Sequence, residues 1–160
     1  MKLWCVLFIM IGFNLPHTVA GESTPEQALL EDMQEDGYIE IEDAVASFED
    51  HQQMEVKLPR LPFHATIALG KASPDTLTLQ WFDTVNHAHI RVTIGSRLTL
   101  NKSHAVAVTL KNGVNKAFYR EDLPHHTLSF LSNGLTYDIY TSEPAVTNQR
   151  EMVEFANSFN

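Results

Sequence analysis

The chain has 160 residues, with 20 Asp or Glu against 11 Lys or Arg, so its formal net charge at pH 7 is −9. The charge is unevenly placed, because residues 21–55 carry twelve acids and no Lys or Arg, whereas residues 56–160 carry ten cations and eight acids. Binding to phosphate backbones needs clustered cations, and none stand together in the sequence, so we expect no nucleic-acid partner.

The first 20 residues have the pattern of a secretion signal. Lys2 precedes an apolar run over residues 3–13, and the small residues Thr18 and Ala20 close the segment. As a helix the run would be roughly 16 Å long, about half of the ~30 Å hydrocarbon core of a bilayer. We therefore expect a secreted or cell-surface protein with no stable membrane span after cleavage. The alternative is a short uncleaved anchor.

The only cysteine, Cys5, lies inside this predicted signal. The mature chain is therefore expected to have no disulfide, no thiolate nucleophile and no cysteine metal ligand. Its fold must be stabilised by burial, and about 140 residues suffice for one core.

Residues 21–50 form an acidic, partly helical segment. Thr24, Pro25 and Gln27 have the spacing of a capping box with proline at the first helical position, and Gly37 ends this helix. A second helix is predicted over residues 39–48. Its apolar residues at helical spacing are Ile41, Ala44, Val45 and Phe48. The segment is either a solvated tether or a module that folds onto the sheet. It lacks the Asp/Asn loop of a calcium site.

Residues 51–160 are predicted to form a sheet and a helix. Residues 54–58 alternate like a strand before Pro59 and Pro62, which mark an edge or a bend, and residues 66–70 form a short apolar strand. Two further strands have one buried face. Their alternating apolar residues are Leu77, Leu79 and Trp81 in one, and Ile90, Val92 and Ile94 in the other.

Two Asn-Gly pairs predict hairpins with type I′ turns. Asn112-Gly113 joins residues 105–111 to 114–120, and Asn133-Gly134 joins residues 126–132 to 135–141. A two-residue loop determines the register of the flanking strands. In the second hairpin, Phe130 is therefore predicted opposite Tyr137, Leu128 opposite Ile139, and Ser129 opposite Asp138.

A last helix is predicted after Asn148, with Glu151 completing a capping box. Its apolar stripe consists of Met152, Phe155, Ala156 and Phe159. The predicted class is α+β: an antiparallel β-meander of seven or eight strands, with this amphipathic C-terminal helix packed on one face and the short acidic helical segment at the N-terminus.

The C-terminal motifs resemble the extracytoplasmic domain of unknown function 4367. The resemblance rests on the strand around Phe130, the Asn133-Gly134 turn, Tyr137 and the helical stripe, together with the proline-flanked residues 57–62 and the hairpin over residues 108–119. The resemblance implies a secreted or membrane-anchored protein of Gram-positive bacteria, in some cases linked to anti-sigma factors or sporulation. It implies no catalytic residue.

Seven histidines lie after the predicted signal, and three of them are weak candidates for a metal site. His87 and His89 are two apart and are predicted on one strand face, with a third ligand from His104 or Asp83. Arg91 shares that face, and a cation beside a bound metal is unfavourable. We therefore expect solvated histidines and no metal or other cofactor. His125 and His126, as strand neighbours, should point to opposite faces.

No motif of nucleophilic, zinc-hydrolytic or phosphate-binding chemistry is present in the sequence. The sequence favours a non-enzymatic exported domain whose sheet binds an unidentified protein or cell-envelope ligand. The first alternative is a histidine-dependent metal-binding or pH-responsive module, for which the histidine pKa of ~6.5 is suited. A secreted hydrolase is the third hypothesis.

Overall fold

The computed structural model describes residues 23–111 and 116–159. The predicted signal at residues 1–20 and the Asn112-Gly113 turn lie outside these ranges. The described helices are α1 (Pro25–Glu35), α2 (Ile41–Gln52) and α3 (Gln149–Ala156). The described strands are β1 (Ile39–Glu40), β2 (Ile67–Ala72), β3 (Thr76–Asp83), β4 (Ala88–Gly95), β5 (Val106–Thr109), β6 (Lys116–Asp122), β7 (His125–Ser132) and β8 (Leu135–Ser142).

The strands form one eight-stranded antiparallel sheet in the order β1-β2-β3-β4-β8-β7-β6-β5. The α+β class, the antiparallel sheet and the C-terminal helix are thus confirmed. The sheet consists of two four-stranded meanders, which meet where β4 pairs with β8. The connection between them, residues 96–105, takes the chain from the middle of the sheet to its β5 edge. No helix in the described part of the chain is long and apolar enough to cross a membrane.

The predicted register of the β7–β8 hairpin is confirmed. Phe130 pairs with Tyr137, and Asn133 and Gly134 both have positive φ angles at the turn. Strands β5 and β6 pair antiparallel, with Val106 opposite Tyr119.

One face of the sheet, called the inner face here, contains the main hydrophobic core. The alternating residues of β3, β4, β7 and β8 are buried there, and α3 packs against them. Phe159 makes edge-to-face contacts with Phe130, Tyr137 and Phe155, at ring-centre distances of 5.7, 5.5 and 5.5 Å. These distances lie in the favourable range for aromatic pairs.

Helix α2 covers the inner face at β2 through a close backbone approach. Gly70 allows it, because a Cβ atom there would lie 2.6 Å from the Cβ of Ala44. The buried α2 residues are Ile41, Ala44 and Phe48. The helix begins at Ile41 rather than at residue 39, since Ile39 and Glu40 pair with β2 as the short strand β1.

Residues 54–58 are not a strand, contrary to the sequence prediction. They have no strand assignment, and two of their backbone amides donate to side chains rather than to a neighbouring strand. The amide of Val56 donates to Glu49 at 2.7 Å, and the amide of Lys57 donates to the hydroxyl of Tyr137 at 3.2 Å. The segment therefore packs on the inner face between α2 and α3, where Val56 is buried.

Helix α1 packs on the opposite face, called the outer face here. Its residue Met33 is buried with Ile67 and Leu69 of β2 in a second, smaller core. The capping box at Thr24 and Gln27 is confirmed. The acidic segment is therefore a folded module, the second of the two predicted alternatives.

The capping arrangement of α3 is partly as predicted. Asn148 accepts a hydrogen bond from the amide of Glu151. The Glu151 carboxylate accepts from the amide and hydroxyl of Thr147, both at 2.9 Å, where a capping box would have it accept from the backbone amide of Asn148.

Replacing Phe155 by Ala tests the docking of α3. Phe155 is 5 % exposed, so its removal should lower the free energy of unfolding by roughly 3–5 kcal/mol, the range for emptying an aromatic core site. Denaturant unfolding measures the loss. The control is Val85→Ala at a residue that is 76 % exposed, where a change within about 0.5 kcal/mol is expected. Equal, small effects of both changes would show that α3 is not docked.

Candidate binding groove on the outer face

Within residues 23–111 and 116–159, α1 covers the outer face at β2 and β3, and beyond these strands the face forms a polar groove. This outer groove has a volume of about 360 Å³. It is lined by side chains from β4, β6, β7 and β8 and from the connection between the two meanders. Its polar and aromatic lining residues include Arg91, Asn101, Arg120, Asp122, His125, Asp138 and Tyr140.

Tyr140 lies at the centre of the groove because of the sheet register. It is opposite Arg91 of β4 on one side and opposite Thr127 of β7 on the other, and Thr127 in turn is opposite Arg120. All four side chains project from the outer face, since successive residues of a strand alternate. The guanidinium carbon of Arg91 lies 4.8 Å from the ring centre of Tyr140, a cation–π distance.

Four aromatic rings follow one another across the outer face, and we call them the ring row. Phe82 and His89 are stacked at 4.4 Å with 2° between their planes. The ring of Tyr140 is 5.9 Å from that of His89 and 4.9 Å from that of His125. The ring row therefore runs from the α1 core into the outer groove.

His89 is neutral at physiological pH. Burial lowers its pKa from 6.5 to about 4, and the positive charge of Arg91 and the neighbouring His125 act in the same direction. Its Nε2 atom lies 3.0 Å from Oε1 of Gln80, an arrangement that suits a ring N–H donor. The ring row thus has an uncharged imidazole next to Tyr140.

Residues 96–105 form one side of the outer groove. The carbonyl of Leu98 accepts a hydrogen bond of 2.9 Å from the hydroxyl of Thr136 on β8. The ammonium of Lys102 lies 5.3 Å from the ring centre of Phe118 on β6. These contacts hold the connection against the outer face, with Asn101 at the groove.

The two carboxylates of the groove have partners within the sheet. Asp122 forms an ion pair with Arg120, and Asp138 accepts a hydrogen bond from Ser129. Arg91 has no carboxylate within ion-pair distance among the described residues. The groove therefore contains planar side chains that carry hydrogen-bond donors and acceptors. The positive charge of Arg91 is balanced only by carboxylates beyond ion-pair distance.

The three histidines considered for a metal site do not form one cluster, although His87 and His89 line the same cavity beside α1. His87 is not on β4 as predicted, but is an exposed residue of the preceding turn with a φ of 57°. Hydrogen bonds to Asp83 from the side chain and amide of Asn86 form this turn, and they lower the pKa of Asp83. His104 lies exposed in the connection between the meanders. The described part of the chain has no cluster of three metal-ligating side chains.

His125 and His126 point to opposite faces, as predicted. His126 is fully buried on the inner face, with its Nδ1 atom 2.8 Å from the hydroxyl of Tyr119 and its Nε2 atom 3.8 Å from Oε1 of Glu143. Sequence reasoning missed this buried site. The alternating pattern of β7 could have indicated it, because His126 lies two residues before Leu128 and therefore on the same, apolar face of the strand.

Neither family models, nor curated proteins, nor solved structures give a match to this chain. The resemblance to the domain of unknown function 4367 therefore stays a prediction, and the function has to be argued from the groove itself.

The pKa of His89 predicts a pH-dependent stability. In the unfolded chain the imidazole takes up a proton near its ordinary pKa of 6.5, but in the folded chain only near 4. The unfolded state binds more protons between these values, so the free energy of unfolding should fall as the pH falls through this window. Denaturant unfolding measures this change. Between about pH 7 and about pH 5, the free energy of unfolding should fall less for His89→Gln than for the wild type.

The matched control for this measurement is His87→Gln, because His87 is exposed two residues away. This variant should keep the full wild-type loss. A His89→Gln variant that loses as much stability as the wild type would contradict the assignment.

Proposed function

We propose that this protein is an exported, non-enzymatic binding domain that binds a protein or cell-envelope ligand in the outer groove. The observation that carries the proposal is the part of the outer face that no described helix covers. Helices and the segment at residues 53–65 cover the inner face, and among the described helices α1 covers β2 and β3 of the outer face. The remaining outer surface combines Tyr140 with the partly exposed groups Arg91 and His125 in a cavity.

The chemistry of the groove favours binding over catalysis. Asp122 and Asp138 are held by neighbouring side chains, and no hydrogen bond in the described chain joins a serine hydroxyl to a histidine ring. The neutral His89 has Gln80 as its partner rather than a carboxylate. These groups can orient a ligand, but they lack the nucleophile, base and orienting acid of a triad.

Export rests on the sequence pattern of residues 1–20. The metal-binding alternative gains no support, because His87, His89 and His104 form no cluster of three metal-ligating side chains among the described residues. The hydrolase hypothesis likewise has no specific contact in its favour.

Co-sedimentation with cell-envelope fragments from the source organism tests the proposal. The double variant Arg91→Ala/Tyr140→Ala removes the central groove pair, and we expect it to bind at least about tenfold more weakly than the wild type, since central aromatic and Arg residues dominate binding energies. Thermal melts establish that the variant is folded.

The chain offers a matched control, because Lys71 lies 5.7 Å from the ring centre of Tyr38 at the other end of the sheet. Tyr38→Ala/Lys71→Ala removes a comparable pair of a cation and a tyrosine ring away from the groove and should bind like the wild type. Equal binding of the groove variant and the wild type would overturn the proposal.

A further inference from the structure

We propose that the ligand of the outer groove is a neutral saccharide. This inference rests on the proposed binding function and adds the chemical class of the ligand. It follows from three properties of the groove: the ring row, the planar hydrogen-bonding groups beside it, and the balance of charges.

The ring row supplies an apolar surface within a polar groove. Tyr140 and His125, with His89 next to them, have ring-centre separations of 4.9 and 5.9 Å across neighbouring strands. Aromatic rings have negatively polarised faces, and they attract the weakly positive C–H groups of a sugar ring. Since His89 is neutral, it adds uncharged contact area next to Tyr140.

Planar polar groups flank the rings on both sides. Arg91 and Arg120 offer donors in a fixed fork, Asp122 and Asp138 offer carboxylate acceptors, and the amide of Asn101 offers both. A sugar hydroxyl is at once a donor and an acceptor. Neighbouring hydroxyls can therefore pair both with the guanidinium of Arg91 and with the remaining lone pairs of the Asp122 and Asp138 carboxylates. A phosphate or carboxylate ligand would instead be repelled by these two carboxylates.

The charges of the groove cancel. Its lining has two arginines and two aspartates, whose formal charges cancel. A polyanion gains no net attraction from such a site, and a strongly cationic ligand would meet Arg91 at the centre. A neutral polyhydroxylated ligand is the class that this balance fits.

The size of the groove favours a short saccharide over a protein surface. Its volume of about 360 Å³ lies at the lower end of the ~300–1,000 Å³ range of small-ligand sites. A stable protein interface needs about 800 Å² of surface on each partner. Asn101 of the connection bounds the groove on one side.

Calorimetric titration with defined oligosaccharides tests the inference. The neutral probes are maltohexaose, cellohexaose and chitohexaose, and the acidic comparison is hexagalacturonate. At least one neutral probe should bind below ~10 mM, with Tyr140→Ala weakening its affinity at least about tenfold and Tyr38→Ala leaving it unchanged. Asp138→Asn should weaken binding of the same probe as well, because it replaces an acceptor by a donor.

Each other outcome has a distinct meaning. Tighter binding of hexagalacturonate than of every neutral probe would overturn the neutral class. If no oligosaccharide binds while envelope binding still depends on Arg91 and Tyr140, the saccharide inference is wrong and the binding function stands. If the envelope binding is also independent of those residues, both proposals are wrong.

Discussion

The pairing of β4 with β8 is the contact on which the rest of the structure depends. These strands are separated in sequence by the whole second meander, and each ends one four-stranded unit of the sheet. Their pairing places Val92 opposite Ile139 and Ile94 opposite Tyr137 on the inner face, where all four are buried. A four-stranded half of the sheet alone would leave part of its apolar face exposed to water. The pairing of β4 with β8 joins the apolar faces of the two halves into one continuous core.

The same pairing assigns different roles to the two faces. On the inner face it aligns the apolar residues that α2, α3 and residues 53–65 cover. On the outer face it brings Arg91 next to Tyr140, which lie on strands from different meanders. The connection that this topology requires, residues 96–105, passes along the outer face and forms one side of the groove. The groove is therefore a consequence of joining the two meanders in this order.

Local patterns in the sequence predicted helices, strands and hairpins. They were not sufficient where the structure depends on residues that are distant in sequence. The Asn133-Gly134 turn predicts the β7–β8 register, and the stripe of α3 predicts its buried side, because both depend on residues close in sequence. The β4–β8 pairing has no local signal, so the contact of Arg91 with Tyr140 could not be predicted. Residues 54–58 alternate like a strand, yet two of their backbone amides donate to the side chains of Glu49 and Tyr137. His87 lies outside the strand on which it was predicted, because hydrogen bonds between Asp83 and Asn86 form a turn there.

Hydrogen exchange under increasing denaturant tests most directly whether the two meanders depend on each other. If the β4–β8 pairing unites them, the buried amides of β3 and β4 and those of β7 and β8 should all exchange through one global opening with the same free energy and the same denaturant dependence. Exchange of the β5–β8 amides through a separate opening of lower free energy, with β2–β4 still protected, would contradict this account.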